Sequence, residues 1–247
     1  MNTLEAPSAA GDQQADELHA EYIRQQPLDL DAERQRQQQW WETGESNGPN
    51  HIAVIRLTNE QIELLRQSIT FDYHEFGAPV LDEDDQVAAE SAAKEDVPVL
   101  NAETRAVLRN VLSFFEQMRD EDLERNGIVP TAAPTLLMQA GIYTDSDEDM
   151  HVDDPGTFAL RYGLTVLGPG TEWPRGTVNP EDFDIAAGDY IGQKQLTNPR
   201  EYSEAGTVEQ FITGCDPHTP AVVDGEQLES EGAAPELRIT MFSTISV

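Results

Sequence analysis

With 247 residues and 38% apolar side chains, the chain can hold one large domain, or one domain and an extension, but is less apolar than an average globular protein. Its net charge of −32, from 47 acidic and 15 basic residues with no basic patch, repels phosphate backbones and excludes nucleic acid as a partner. No apolar run reaches bilayer-spanning length, and the first residues lack the basic start and apolar stretch of a secretion signal, so a cytoplasmic protein with no membrane partner is expected. The single cysteine, Cys215, excludes an internal disulfide and a multi-cysteine zinc cluster, leaving histidine and carboxylate to hold any metal.

Residues 1–50 are polar and rich in glutamine and acid, and are expected to form a helical or partly disordered extension. Helices are predicted at 13–25 and 31–42, separated by Pro27; the second ends on Trp40 and Trp41, aromatics suited to docking onto the rest of the chain. The main domain is placed at 51–247. HIAVIRL at 51–57 alternates and is β-branched, which predicts a strand. Thr58 and Gln61 form a capping box, followed by Ile62, Leu64, Leu65 and Ile69 in a helix over 59–69. Residues 82–96 read as an acidic loop or weak helix. Val107, Leu108, Val111, Leu112, Phe115 and Met118 recur at helical spacing over 102–124, with Asn101 as N-cap and Gly127 as stop. Their stripe is expected to pack on a sheet.

After Pro134 the texture changes. Short strand-like runs (TLLMQAGIY, TFALRYGLTVL, DFDIAA, YIGQKQL, TVEQFIT, AVV and LRITMFSTISV) alternate with turn residues. Many short strands at this spacing predict an antiparallel barrel or sandwich. The expected fold class is therefore α+β: a strand and supporting helices over 51–130, and a β-barrel core over 131–247.

Two of the five histidines lie in that β region. His151 and Asp153 stand two apart in D-M-H-V-D-D, and alternate residues of a strand face one side. An imidazole and a carboxylate so placed can grip one ion. His218, far along the chain in T-G-C-D-P-H-T-P, can supply a third ligand if the sheet folds back. Two histidines and one carboxylate on one face of an octahedron leave positions open, the facial triad of non-haem iron(II) oxygenases. Taken alone, H-x-D in so acidic a chain reads rather as part of an acidic turn; the later His218, the strand texture and Arg238 reverse that reading. On the last strand, Arg238 and Thr240 face one side, where a guanidinium and a hydroxyl can hold a carboxylate such as the distal one of 2-oxoglutarate; a surface ion pair is the alternative.

The order H-x-D, distant His, then R-x-T on the last strand resembles the iron(II)/2-oxoglutarate-dependent oxygenases, which share a double-stranded β-helix of the jelly-roll or cupin-like kind. More closely, H-V-D-D, Y-G-L-T-V-L-G-P-G-T-E-W, A-G-D, H-T-P and L-R-I-T, spread over 137–245, resemble a bacterial family to which no activity is attached. The broader resemblance implies iron(II) bound by His151, Asp153 and His218, and 2-oxoglutarate held by Arg238 and Thr240. It implies hydroxylation of a small molecule or a side chain by default, because a halogenating relative would carry a small residue in place of Asp153. The spacing from His218 to Arg238 is longer than the family usually shows, and VVDGEQLESEGAAPE in that gap is expected to form a loop over the site.

Tyr162 and Thr165 are further candidates for hydrogen bonding to the cosubstrate, with Arg161 beside them; ordinary sheet residues are the alternative. Lys194 is the rival carboxylate partner to Arg238. Trp173 is read as core, or as a lining of the substrate mouth, and Cys215 as a buried small side chain. Two other functions stay open: a non-catalytic β-barrel that binds a ligand or partner, and a cupin-like metalloenzyme without 2-oxoglutarate. The sequence leaves the substrate and oligomeric state undetermined.

Overall fold

The computed structural model describes residues 18–46, 48–72, 74–82, 99–143, 152–153, 157–168, 170–174, 176–177, 200–216, 218–220 and 236–247. His151, Lys194, the acidic segment 83–96 and the expected loop 222–235 lie outside them, as do the strand-like runs DFDIAA, YIGQKQL and AVV. Among the described residues no helix is long and apolar enough to cross a membrane.

The chain opens with a strand, β1 (His19–Tyr22), where a helix over 13–25 was expected. The correction has a tertiary cause. β1 adds antiparallel to β3 (Asn50–Arg56), pairing Ala20 with Ile55 and burying Ala20 completely. Sheet-edge hydrogen bonds and burial of one face override the weak helical preference of so short a run. Between them, α1 (Leu30–Thr43) starts at Asp29, whose carboxylate accepts from the Asp31 and Ala32 amides, and stops at Gly44, φ 70°. Of the two aromatics suited to docking, Trp40 is 1% exposed within the hydrophobic core and meets Trp41 edge-on. A short pairing, β2 (Glu45–Ser46), follows α1.

The predicted capping box is present. The Thr58 hydroxyl accepts from the Gln61 amide, the Gln61 side chain accepts from the Thr58 amide, and α2 (Asn59–Ser68) follows. After β4 (His74–Phe76) and a 3-10 turn at Ala78–Leu81, α3 (Ala102–Arg125) begins at Asn101 and ends before Gly127, φ 65°. The β region consists of β5 (Thr135–Tyr143), β6 (Leu160–Leu167), β7 (Thr171–Pro174), β8 (Gly176–Thr177), β9 (Arg200–Tyr202), β10 (Thr207–Ile212), β11 (Thr219–Pro220) and β12 (Glu236–Ile245).

Seven strands form one antiparallel sheet in the order β1-β3-β10-β6-β12-β5-β4; β11-β7-β9 form a second, and β2 pairs with β8. From β6 onward the chain passes between the large and small sheets: β6 large, β7 and β9 small, β10 large, β11 small, β12 large.

Alternation gives the large sheet two distinct faces. One is covered by α3, whose Leu108, Val111, Leu112, Phe115 and Met118 are buried as the stripe predicts. The interface between that face and α3 also holds polar groups that the apolar pattern does not announce. Asp122, fully buried, accepts from the Tyr22 hydroxyl at 2.8 Å and the Tyr162 hydroxyl at 2.9 Å, and lies 2.8 Å from Arg24 Nε. Arg24 also donates to Gln210 Oε1 at 2.8 Å, and Arg119 donates to Ser243 Oγ at 2.9 Å. The opposite face carries Arg161, Gly163 and Thr165 of β6, Glu209 and Phe211 of β10, and Arg238, Thr240 and Phe242 of β12, according to strand alternation and register.

Breaking a buried ion pair from one side leaves an uncompensated charge. Asp122→Ala is therefore expected to cost about 3–5 kcal/mol, read as a lowered midpoint in urea or thermal unfolding. Burial, and then Asp122, push the Tyr22 hydroxyl up to about 12 and the Tyr162 hydroxyl well above its ordinary value. Unfolded tyrosines release their protons near pH 10 while these two keep theirs in the folded state, so stability falls as pH rises from 10 through about 12. Tyrosinate absorbance and circular dichroism recorded on one alkaline titration should show both tyrosines ionising only as the fold is lost.

Candidate metal centre

The site is built where strand ends meet between the two sheets. β10 stops at Ile212, and the chain turns through 213–216 before His218 enters β11. Asp216 closes the turn: its Oδ2 accepts from the Ile212 amide at 2.7 Å, and its carbonyl oxygen meets His218 Nδ1 at 2.9 Å. A carbonyl can only accept, so Nδ1 carries a proton, and the ring's other nitrogen, Nε2, is the one turned toward Asp153. Nε2 stands 3.6 Å from Asp153 Oδ2. His218 is buried, with the Trp173 and Phe211 ring centroids 5.0 and 5.1 Å from its own.

Backbone hydrogen bonds bring Asp153 there. The Gly214 amide donates to the Asp153 carbonyl at 2.6 Å, and the Thr213 amide to the Ala159 carbonyl at 3.0 Å. In return the Ala159 amide donates to Thr213 Oγ1 at 2.9 Å. The segment after H-x-D and the turn before His218 are thus fastened side by side. The Asp153 carboxylate also takes a charge-assisted hydrogen bond from Arg161 on Oδ2.

An imidazole nitrogen and a carboxylate oxygen this close can share a proton or a cation. The donor types suit a divalent first-row metal, with nitrogen and oxygen ligands at about 2.0–2.2 Å. A carboxylate has two oxygens and about four lone-pair sites, so the ion pair with Arg161 does not by itself bar Asp153 from holding a cation. His151, the third expected ligand, lies outside the described residues, and among those residues no group of three metal-binding side chains occurs.

The remaining candidates separate by face. Arg238 and Thr240 are 2% and 1% exposed and share the inward face of β12; Thr240 Oγ1 donates to Gln139 Oε1 at 3.2 Å. Thr165, also buried, sits opposite Thr240 in the ladder. Tyr162 is a correction: one residue from Arg161, it points the other way and gives its hydroxyl to Asp122, on the face beneath α3. Trp173 is buried against the candidate ligand His218 and donates from Nε1 to Ser203 Oγ at 3.0 Å. Cys215 is buried, and burial, followed by the charge of Asp216, raises its thiol well above the ordinary range, which keeps it protonated and inert.

Several contributors were not singled out from the sequence. Glu209, buried on the inward face, accepts a hydrogen bond from Ser203 Oγ, and His51 Nε2 lies 3.3 Å from Glu209 Oε1. A carboxylate within the apolar run TVEQFIT was the available signal. Asp216 gave no such signal, because any turn tolerates aspartate.

No protein-family model matches the chain, and no curated protein matches it. Among solved structures, a Pseudomonas putida prolyl-4-hydroxylase is 12% identical at a TM-score of 0.34, covering 81% of this chain and 97% of its own. HygX from Streptomyces hygroscopicus with iron bound is 11% identical at 0.32, and HygX with nickel and 2-oxoglutarate bound is 10% identical at 0.30. These cover 78% and 77% of this chain, and 88% of HygX in each case. Likeness at these scores does not establish a shared fold.

Within the small sheet, the backbone before β7 passes close to the residue after β9 at Gly170. A Cβ built there would lie 1.9 Å from the Ser203 carbonyl oxygen, so backbone would have to move. Gly170→Ala is expected to destabilise by about 1–3 kcal/mol, as overpacking does, and to free Trp173. Thermal unfolding and a red-shifted tryptophan emission would register the two effects.

Proposed function

We propose that the chain is a mononuclear iron(II) oxygenase using 2-oxoglutarate as cosubstrate and hydroxylating a small molecule or a side chain. His151, Asp153 and His218 are the ligands in this proposal, on a double-stranded β-helix formed by the large and small sheets of the 131–247 region. The observation that carries it is the approach of His218 Nε2 to the Asp153 carboxylate, 3.6 Å apart although the two residues come from distant segments. The passage of consecutive strands between two antiparallel sheets supports the jelly-roll assignment.

Iron(II), when bound, supplies the redox chemistry with dioxygen; the protein supplies position and dryness. The Asp216 carbonyl fixes the His218 tautomer, an outer-shell bond of the kind that orients metal-binding histidines. Trp173 and Phe211 cover the ring and limit access of water. Arg238, a buried permanent cation, is assigned to the distal carboxylate of 2-oxoglutarate, with Thr240 two residues along the same face and Thr165 beside it.

Anaerobic titration tests the assignment. One equivalent of iron(II) should bind, and 2-oxoglutarate should then bring up a weak visible charge-transfer band. Asp153→Ala and His218→Ala should abolish iron binding, while Arg238→Ala should retain iron and lose the band. If the folded protein takes up no iron, the assignment fails, and the Arg161–Asp153 ion pair then favours a metal-free ligand-binding barrel.

A further inference from the structure

One helix of the N-terminal segment touches both strand ends that build the site. Arg36 of α1 forms a two-pronged ion pair with Asp216, its second prong running from NH2 to Oδ2 at 2.8 Å, and its Nε donates to Glu33 Oε2 at 2.7 Å. Asp216 is the residue whose carbonyl meets His218 Nδ1. One position along, Gln37 Nε2 donates to the Thr157 carbonyl at 2.7 Å and to the Thr213 carbonyl at 3.2 Å, tying the segment after Asp153 to the turn before His218. The Arg34 guanidinium lies 4.7 Å from the Phe158 ring centroid. Three nearby residues of a mostly polar helix thus reach into 157–158 and 213–216.

A surface helix requires no such convergence for its own stability. Trp40 already anchors α1, and its caps are satisfied. The Asp216 carboxyl is fully buried, and Arg36 is its charge partner. A planar fork on a carboxylate fixes orientation as well as distance, which a lone ammonium does not.

We infer that α1 is a positioning element for the metal centre: Arg36, through Asp216, sets the orientation of His218, and Gln37 holds the Asp153 segment in register with it. Arg36 and Gln37 are positioning residues that touch neither metal nor substrate. The inference rests on the proposed iron site, and its test separates the two.

Cobalt(II) serves as the probe in the full chain, with affinity and the visible d–d spectrum read together with circular dichroism of the metal-free protein. Arg36→Met is expected to weaken cobalt binding by about 10–100-fold, the usual cost of an outer-shell loss, and to change the d–d band while the secondary structure is kept. Arg36→Lys should recover the affinity only in part, since it keeps the charge and loses the fork. Gln37→Ala, which leaves the ion pair in place, should weaken binding by a smaller factor, and it carries the test if Arg36→Met fails to fold. A folded Arg36→Met or Gln37→Ala protein with wild-type cobalt affinity and spectrum overturns the inference while leaving the iron site standing. Absence of cobalt binding by the wild-type protein overturns both.

Discussion

The large sheet is covered on both sides, so each of its central strands must satisfy two different environments with alternate residues. β6 and β12 show the constraint most clearly. One set of their side chains (Leu160, Tyr162 and Leu164; Ile239, Met241 and Ser243) lies under α3, and the other (Arg161, Gly163 and Thr165; Arg238, Thr240 and Phe242) faces the small sheet. A slip of one residue would exchange the two sets. It would place a guanidinium against the α3 stripe and bulky apolar groups in the site.

Both sets contain charge, and in each case the charge is compensated locally. Beneath α3, Asp122 gathers Arg24 and two tyrosine hydroxyls. Near the site, Asp216 gathers Arg36 and the Ile212 amide, and Asp153 gathers Arg161. Burial disfavours the Arg36 charge, but Asp216, with Glu33 behind it, outweighs that and holds the guanidinium above its ordinary range. The molecular charge of −32 therefore does not describe the interior, where arginines answer individual carboxylates. Arginine suits this task better than lysine, being planar, less strongly hydrated and always charged. The composition, with 2 lysines among the 15 basic residues, matches that demand.

Around His218 the chemistry depends on groups that are not themselves reactive. A backbone carbonyl fixes the tautomer, two aromatic rings fix the plane, and a hydrogen-bonded turn brings a distant aspartate opposite Nε2. Each of these is a local, geometrically specific contact, and together they leave His218 little freedom to reorient. That is the preorganisation the proposed metal site requires, since its proposed ligands come from segments far apart in the chain.

The helices α2 and α3, with their caps, and strands β3, β5, β6, β10 and β12 were legible in the sequence because periodicity and capping are local properties. Those elements need only neighbouring residues to declare themselves. The pairing of His218 with Asp153 was legible as residue types, not as a distance. Tertiary structure decided the rest. It turned 19–22 from expected helix to edge strand, because β3 offered unpaired hydrogen-bonding groups. It turned Tyr162 toward Asp122 rather than the site, because one residue of register separates the two faces. It also joined Arg36 to Asp216 across 180 positions of sequence, a contact no local pattern encodes, since a guanidinium can pair with any carboxylate within reach and the sequence holds 47 acidic residues.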